Sequence, residues 1–296
     1  MPHTIPDNFL GLDARLSDYT GARFAVLPIP YEATTTFGPG TRDGPRAIIT
    51  ASQQVELYDE ALGRDSSRAG VATLPPLEPD ARGPQAMQQT VFAAARRVVR
   101  DRKLLISLGG EHSITAGLVR AVRARHKDLS VLQIDAHADL RDSYQGTPYS
   151  HACVMRRIHD LGVPAVGVGI RNCSAAEARF IRDTDKPVFS ARTCRESTGW
   201  IDQVVNLLTP HVYVTIDIDG FDPAYAPGTG APEPGGLDWY QVTALLTKVA
   251  HRCQVVAADV VEVRPLPPNN VTEFLAAKLI YRVIGLVCQS GVRRGA

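Results

Sequence analysis

A three-layer α/β/α sandwich on a mainly parallel β-sheet is the architecture expected from this 296-residue sequence. Short, continuous apolar runs alternate along it with longer amphipathic ones. Unbroken apolar runs mark strands buried on both faces, and such strands are parallel ones covered by helices. The alternation is nearly strict, which right-handed crossovers turn into one layered unit. Gly- and Pro-rich segments also follow several of the apolar runs, as loops do at the carboxyl edge of an open parallel sheet.

In chain order, the apolar run 23–27 reads as the first strand, and Gly38-Pro39-Gly40 with Gly44-Pro45 reads as the loop after it. Helical spacing of apolar residues follows at 85–101, then a strand at 104–108, a helix at 114–125 and a strand at 131–134. The same alternation gives a helix at 153–161, a strand at 165–168, a helix at 175–183 and a short strand at 188–189. A helix at 200–208 leads to a strand at 212–216, whose exit is the Pro- and Gly-rich segment 223–236. A helix at 238–251, a strand at 255–259 and a helix at 272–287 complete the pattern. No repeat, low-complexity tract or Gly/Ser linker divides the chain, so residues 1–296 read as a single domain.

Composition narrows the function classes. Lys+Arg 32 against Asp+Glu 31 leaves a formal charge of +1, without the basic footprint of a nucleic-acid or anionic-membrane binder. The five cysteines are odd in number, scattered and never spaced C-x-x-C, which suits reduced thiols better than a disulfide framework or a structural zinc site. The opening residues lack a basic, then apolar, leader pattern. The most apolar stretch, 274–288, is interrupted by Lys278 and Arg282 and is too short to span a bilayer. The expectation is a soluble, cytoplasmic protein.

Three strand candidates end in ligand-type residues. Gly109-Gly110-Glu111-His112-Ser113 follows the run 104–108, Asp135-Ala136-His137-Ala138-Asp139 follows 131–134, and Asp217-Ile218-Asp219 follows 212–216. Alternation along an extended chain would point Asp135, His137 and Asp139 one way, and Asp217 with Asp219 likewise. Four carboxylates gathered at one sheet edge would repel and lose hydration at a cost of several kcal/mol each. Two divalent cations balance four Asp charges, with His112 and His137 ligating as neutral imidazoles. Mainly oxygen donors with one imidazole per ion suit Mn²⁺ best, with Fe²⁺, Co²⁺, Ni²⁺ and Zn²⁺ behind it.

These residues, taken in order, resemble the ureohydrolase (arginase–agmatinase) superfamily, and within it the agmatinase branch. The matching segments are Phe37-Gly38-Pro39-Gly40-Thr41-Arg42 with Gly44-Pro45-Arg46, the Gly-Gly-Glu-His-Ser and Asp-Ala-His-Ala-Asp runs, and Ser150-His151. Asp217 to Asp222-Pro223, Glu233-Pro234-Gly235-Gly236-Leu237 and Glu262 complete them. The likeness spans roughly residues 25–287. It implies an arginase-like fold, a binuclear Mn²⁺ centre and cleavage of a guanidino group to urea and an amine by a hydroxide bridging the ions. It also implies that Asp135 and Asp217 bridge the ions, His112 and Asp139 completing one site and His137 and Asp219 the other. Glu262 corresponds to the carboxylate that orients the guanidinium, and His151, with Asp139, to the groups that move protons. A homotrimer or homohexamer is implied as well.

The substrate is less sharply marked. The loop 140–150 lacks the Ser-Gly-Asn signature that reads the head of arginine, and the run from Tyr149 to Cys153 looks like agmatinases. Agmatine, cleaved to putrescine and urea in polyamine biosynthesis, is therefore the expected substrate. Asp142, Tyr144 and Glu233 are candidates to receive its distal ammonium. Guanidinobutyrate, which Arg141 could read, stays open, as do guanidinopropionate, free guanidine and arginine. A two-metal phosphoesterase using Arg42, Arg46 and Arg141, or a non-catalytic scaffold, is the reading from outside the class.

Overall fold

The computed structural model describes residues 5–293, with side chains described to residue 290. Its strands in chain order are β1 (Phe24–Ile29), β2 (Tyr58–Asp59), β3 (Arg64–Asp65), β4 (Val71–Thr73) and β5 (Leu104–Gly109). They continue with β6 (Leu129–Ile134), β7 (Ala165–Ile170), β8 (Val188–Ser190), β9 (His211–Asp217) and β10 (Gln254–Val261). Eight of them form one sheet in the order β4-β1-β5-β10-β9-β6-β7-β8, every pairing parallel. β2 and β3 make a separate antiparallel hairpin.

Alternate residues of the strands feed two apolar cores, one on each face. Phe24 and Val26 pack with Ile48, Val204, Val249 and Ile284, which lie on the helices Gly44–Ser52, Trp200–Leu207, Trp239–Arg252 and Val271–Arg293. Ala25, Leu27 and Ile29 pack with Val91, Leu118 and Ile158 on the helices Pro84–Arg100, Thr115–Arg123 and Val154–Asp160. That is the three-layer sandwich expected from the alternating runs. Helix ends are set locally. Ser174 and Glu177 form a reciprocal cap on the helix Ala175–Asp183, and Asp238 and Gln241 form one on Trp239–Arg252.

The structure departs from the sequence pattern in a few places. The first strand runs past Pro28 to Ile29. Its neighbour β4 pairs only as far as Val26↔Thr73, so the N–H that the proline lacks is not needed as a ladder donor there. Gly44-Pro45, expected in a loop, opens the helix Gly44–Ser52 instead, with the proline in its first turn where the missing N–H costs nothing. A Cβ on Gly44 would lie 2.4 Å from the Val263 carbonyl oxygen, so only glycine lets this helix abut the exit of β10. The three-residue strand β4 is too short to show as an apolar run.

β5, β10, β9 and β6 are adjacent at the centre of the sheet. Their carboxyl ends converge on one point, although the four strands are far apart in sequence.

Candidate metal centre and catalytic cleft

Each of those four strand ends delivers its polar side chains by a turn rather than by the pleat. β6 stops at Ile134, and the His137 N–H donates to Asp135 Oδ1 at 2.6 Å, folding the chain back on itself. Asp139 then takes φ 53°, a left-handed conformation that disfavours a side chain. β9 stops at Asp217, whose Oδ1 accepts the Asp219 N–H at 3.0 Å across the 3-10 turn Ile218–Gly220. The alternation expected for the Asp-x-His-x-Asp run is thus replaced by a turn that sends its side chains to two neighbouring clusters. Beyond β10, Glu262 stands at φ 60°.

His112 is fully buried, and its Nε2 meets Thr215 Oγ1 at 2.9 Å. Its Nδ1 has no hydrogen-bond partner, yet Asp135 Oδ2, Asp139 Oδ2 and Asp217 Oδ2 surround it at 3.2, 3.1 and 3.4 Å. On the other side of Asp135, His137 Nδ1 lies 3.0 Å from Asp219 Oδ2 and 3.8 Å from Asp135 Oδ1. Two groups are therefore close enough to hold a cation, His112–Asp135–Asp139 and Asp135–His137–Asp219, with Asp135 in both. Asp217 adjoins the first. An orphaned buried imidazole nitrogen faced by three carboxylate oxygens fits a divalent cation, and hard oxygen donors with one imidazole fit the metals expected from the sequence.

The electrostatics carry the same message. Burial raises the pKa of Asp135 and Asp139, and it raises that of Asp217 well above the carboxylate range, with Asp219 and Asp135 adding repulsion. Burial pushes Asp219 upward, yet its pKa is lowered, because the hydrogen bond and charge of His137 together with the Ala136 N–H outweigh that burial. Burial opposes protonation of His137, but Asp219 and Asp135 push it up to about 11. Carboxylates gathered this closely and this deeply need positive charge beside them to stay ionised, which a cation would supply.

Neighbours hold the candidate ligands in place. Gln133 Nε2 donates to Asp135 Oδ2 at 2.8 Å and to the His137 carbonyl at 3.0 Å. Asp219 Oδ1 accepts the Ala136 N–H at 3.0 Å. Arg171 is half-buried, and its guanidinium donates to main-chain carbonyls only. Nη2 reaches Asp219 and Glu233, each at 2.7 Å, and Phe221 at 3.2 Å. Nε reaches Pro234 at 3.1 Å, and Nη1 reaches Gly169 at 3.1 Å. Gln133 is legible in hindsight as a polar residue in an apolar strand, two positions before a ligand. Arg171 carries no such signal, because its partners are backbone atoms.

A cleft of about 230 Å³ opens over the clusters, lined by His137, Asp139, Asp217, Asp219, Glu262 and His151, with Tyr144 and Arg141 at its side. Glu262 Oε1 accepts the His112 N–H at 2.7 Å. Its pKa is raised well above normal by burial, with Glu111 adding repulsion. His151 Nδ1 lies 3.1 Å from Thr34 Oγ1, and burial lowers the pKa of its ring. All six ligand candidates therefore meet at one place, with Glu262 and His151 above them.

The tail candidates separate. Tyr144 lines the cleft, with the Arg141 guanidinium 4.6 Å over its ring. Glu233 lies beside the cleft, its Oε1 accepting from Asn172 Nδ2 and standing 3.9 Å from His137 Nε2. Asp142 is placed elsewhere: its side chain is 72% exposed and paired with Arg157 at 2.7 Å, because the two arginines of the following helix draw it outward. Arg42 and Arg46 are not among the cleft-lining residues, and Arg46 pairs with Asp7. That removes two of the three cations a phosphate clamp would need. No helix among the described residues is long and apolar enough to cross a membrane.

Comparison with known proteins gives a consistent set. The arginase family model matches residues 22–285. An N(1)-aminopropylagmatine ureohydrolase of Synechocystis is 41% identical over 287 residues, covering 95% of this chain and 94% of its own. An agmatinase of Pyrococcus horikoshii is 35% identical over 274 residues, covering 91% and 93%. The crystal structure of agmatine ureohydrolase of Thermoplasma volcanium superposes with a TM-score of 0.87 at 33% identity, covering 98% of this chain and 97% of that one.

Proposed function

Because the chain belongs to the arginase family of hydrolases, we propose that it removes urea from a guanidino compound with a polyamine tail, agmatine or its N(1)-aminopropyl derivative. The observation that carries this reading is the meeting of His112, Asp135, His137, Asp139, Asp217 and Asp219 beneath a buried carboxylate, Glu262. A carboxylate in that position attracts a guanidinium and repels a phosphate. The relative at 41% identity favours the aminopropyl form, and the agmatinase at 35% favours agmatine itself.

The six ligands would hold two divalent cations, Mn²⁺ first, which when bound supply Lewis acidity and an activated water near neutral pH. The rest of the work falls to the chain. Glu262 has one oxygen committed to the His112 N–H, which leaves Oε2 facing the cleft to accept from the planar guanidinium and fix its plane. Water adds its oxygen to the guanidinium carbon as the bond to the tail nitrogen breaks. The products are urea and a protonated amine, so both protons of the water end on the leaving nitrogen. His151 lines the cleft, and burial lowers the pKa of its ring, which suits the neutral imidazole to collect one of them and pass it on, with Asp139 assisting.

The test is urea release by Mn²⁺-loaded protein from agmatine, N(1)-aminopropylagmatine, guanidinobutyrate, guanidinopropionate, arginine and free guanidine, with a metal-stripped control. Preference for either polyamine guanidine, lost on stripping, is the expected result. Preference for guanidinobutyrate would move the tail contact to Arg141. Absence of urea from all six with metal bound would overturn the reading.

A further inference from the structure

Glu111 plays no part in the chemistry above, yet it is wholly buried and at the centre of a closed set of hydrogen bonds. Its Oε2 accepts the main-chain N–H groups of Ala33 and Thr34, both at 2.6 Å. Its Oε1 accepts the Ser113 hydroxyl at 2.5 Å and the Thr34 hydroxyl at 2.8 Å. All four partners reach Glu111 as donors, so the single proton of Thr34 Oγ1 is spent on Oε1. A charge-assisted bond is roughly twice as strong as a neutral one, which holds that orientation against any neutral competitor.

What remains on Thr34 Oγ1 is acceptor capacity, and His151 supplies both donors. The His151 main-chain N–H reaches it at 3.0 Å, and ring Nδ1 lies 3.1 Å away. Were Nδ1 bare, two lone pairs would face each other at that distance. Ser150 Oγ, 3.3 Å from Nδ1, accepts the Ala152 N–H and can also accept from the ring.

We infer that Glu111, acting through Thr34, holds His151 in the tautomer protonated at Nδ1, so that Nε2 meets the cleft as the proton-accepting atom. Thr34 and Glu111 are positioning residues in this scheme and do not touch the substrate. The inference rests on the proposed hydrolysis for its catalytic meaning. The proton His151 delivers to the leaving amine must accordingly be one that Nε2 has first collected inside the cleft. No net proton is gained or lost by the ring over the cycle.

The test compares Thr34→Val and Thr34→Ser, alone and with His151→Asn. Thr34→Val should lower kcat roughly 10–100-fold with KM and metal content little changed. Thr34→Ser, which keeps the hydroxyl, should stay within about threefold of the parent. In the His151→Asn background Thr34→Val should change kcat by less than about twofold, because residues acting through one another are not additive. A full additive loss there, or a serine variant as poor as the valine one, would show a merely structural role and overturn the inference. A second measurement does not depend on turnover: ring ¹⁵N spectra of ¹⁵N-histidine-labelled protein loaded with diamagnetic Zn²⁺, with His151 assigned by its loss in His151→Asn. Protonated Nδ1 with bare Nε2 supports the inference, and the reverse overturns it. If the parent releases no urea, the proposed hydrolysis fails while these spectra still decide the tautomer.

Discussion

Arg171 joins the turn that carries Asp219 to the segment that carries Glu233, using a guanidinium bonded to carbonyl oxygens alone. Replacing it with alanine removes two 2.7 Å bonds and two 3.1 Å bonds at once. A hydrogen bond involving a charged group contributes about 1.5–3 kcal/mol net. Water can replace those at the outer rim, to Glu233 and Pro234. The bonds to Asp219 and Gly169 are further in, so the expected loss is about 3 kcal/mol. At about 2–4 °C per kcal/mol for a chain near this size, metal-free Arg171→Ala should unfold roughly 6–12 °C below the parent. The Asp219 main chain also loses its anchor, so affinity for metal should fall about 10–100-fold, as it does when groups orienting a ligand are removed. Arg171→Lys should recover less than half of the thermal loss, since an ammonium cannot serve carbonyls in a planar fork. Thermal unfolding without metal and a Mn²⁺ binding titration give the two readings. A variant that unfolds within about 2 °C of the parent and binds metal equally well would refute the idea that this guanidinium holds the ligand turn.

Other perturbations separate the parts of the site. Asp135→Ala removes the residue shared by both clusters, so metal content after dialysis and urea release should fall together; a variant that kept both would contradict the shared placement. Glu262→Gln should keep the metal and lose roughly 100-fold or more in turnover, read as metal analysis against kcat, and near-parent activity would rule Glu262 out as the guanidinium anchor. Metal uptake should strengthen as pH rises. His137, raised to about 11 without metal, holds a proton at neutral pH that the cation must displace. Calorimetric titrations in buffers of different ionisation heat should show proton release, and an uptake indifferent to pH would disagree with that sign.

The central strands and the candidate ligands were legible in the sequence because their signals are local. Runs such as 131–134 are apolar enough to mark strands buried on both faces, and the residues just beyond them are the metal-ligand types. The geometry of convergence was not legible, because it depends on Asp139 and Glu262 taking positive φ and on turns closed by Asp135 and Asp217 side chains. The helix Gly44–Ser52 hid behind a Gly-Pro pair that usually marks a loop. Asp142 shows the other limit. Sequence places it beside the cleft, but which way it faces depends on Arg156 and Arg157, one helix later. Arg171, Thr34 and Glu111 act through long-range contacts to backbone or to one another, which no spacing rule anticipates.

The order β4-β1-β5-β10-β9-β6-β7-β8 has a consequence for how the molecule is made. The two strands at its centre are the last to leave the ribosome. Until they insert, β4-β1-β5 and β6-β7-β8 are two half-sheets, and the inner edges of β5 and β6 lack their native partners, the kind of edge that invites aggregation. His112 belongs to one half, Asp135, His137 and Asp139 to the other, and Asp217, Asp219 and Glu262 arrive with the insert. A nascent chain ending before β9 thus has adhesive edges and an incomplete ligand set. A cation that binds only the finished sheet draws the equilibrium toward closure by mass action. If the proposed centre binds its cations, metal content counts the chains that have completed their folding.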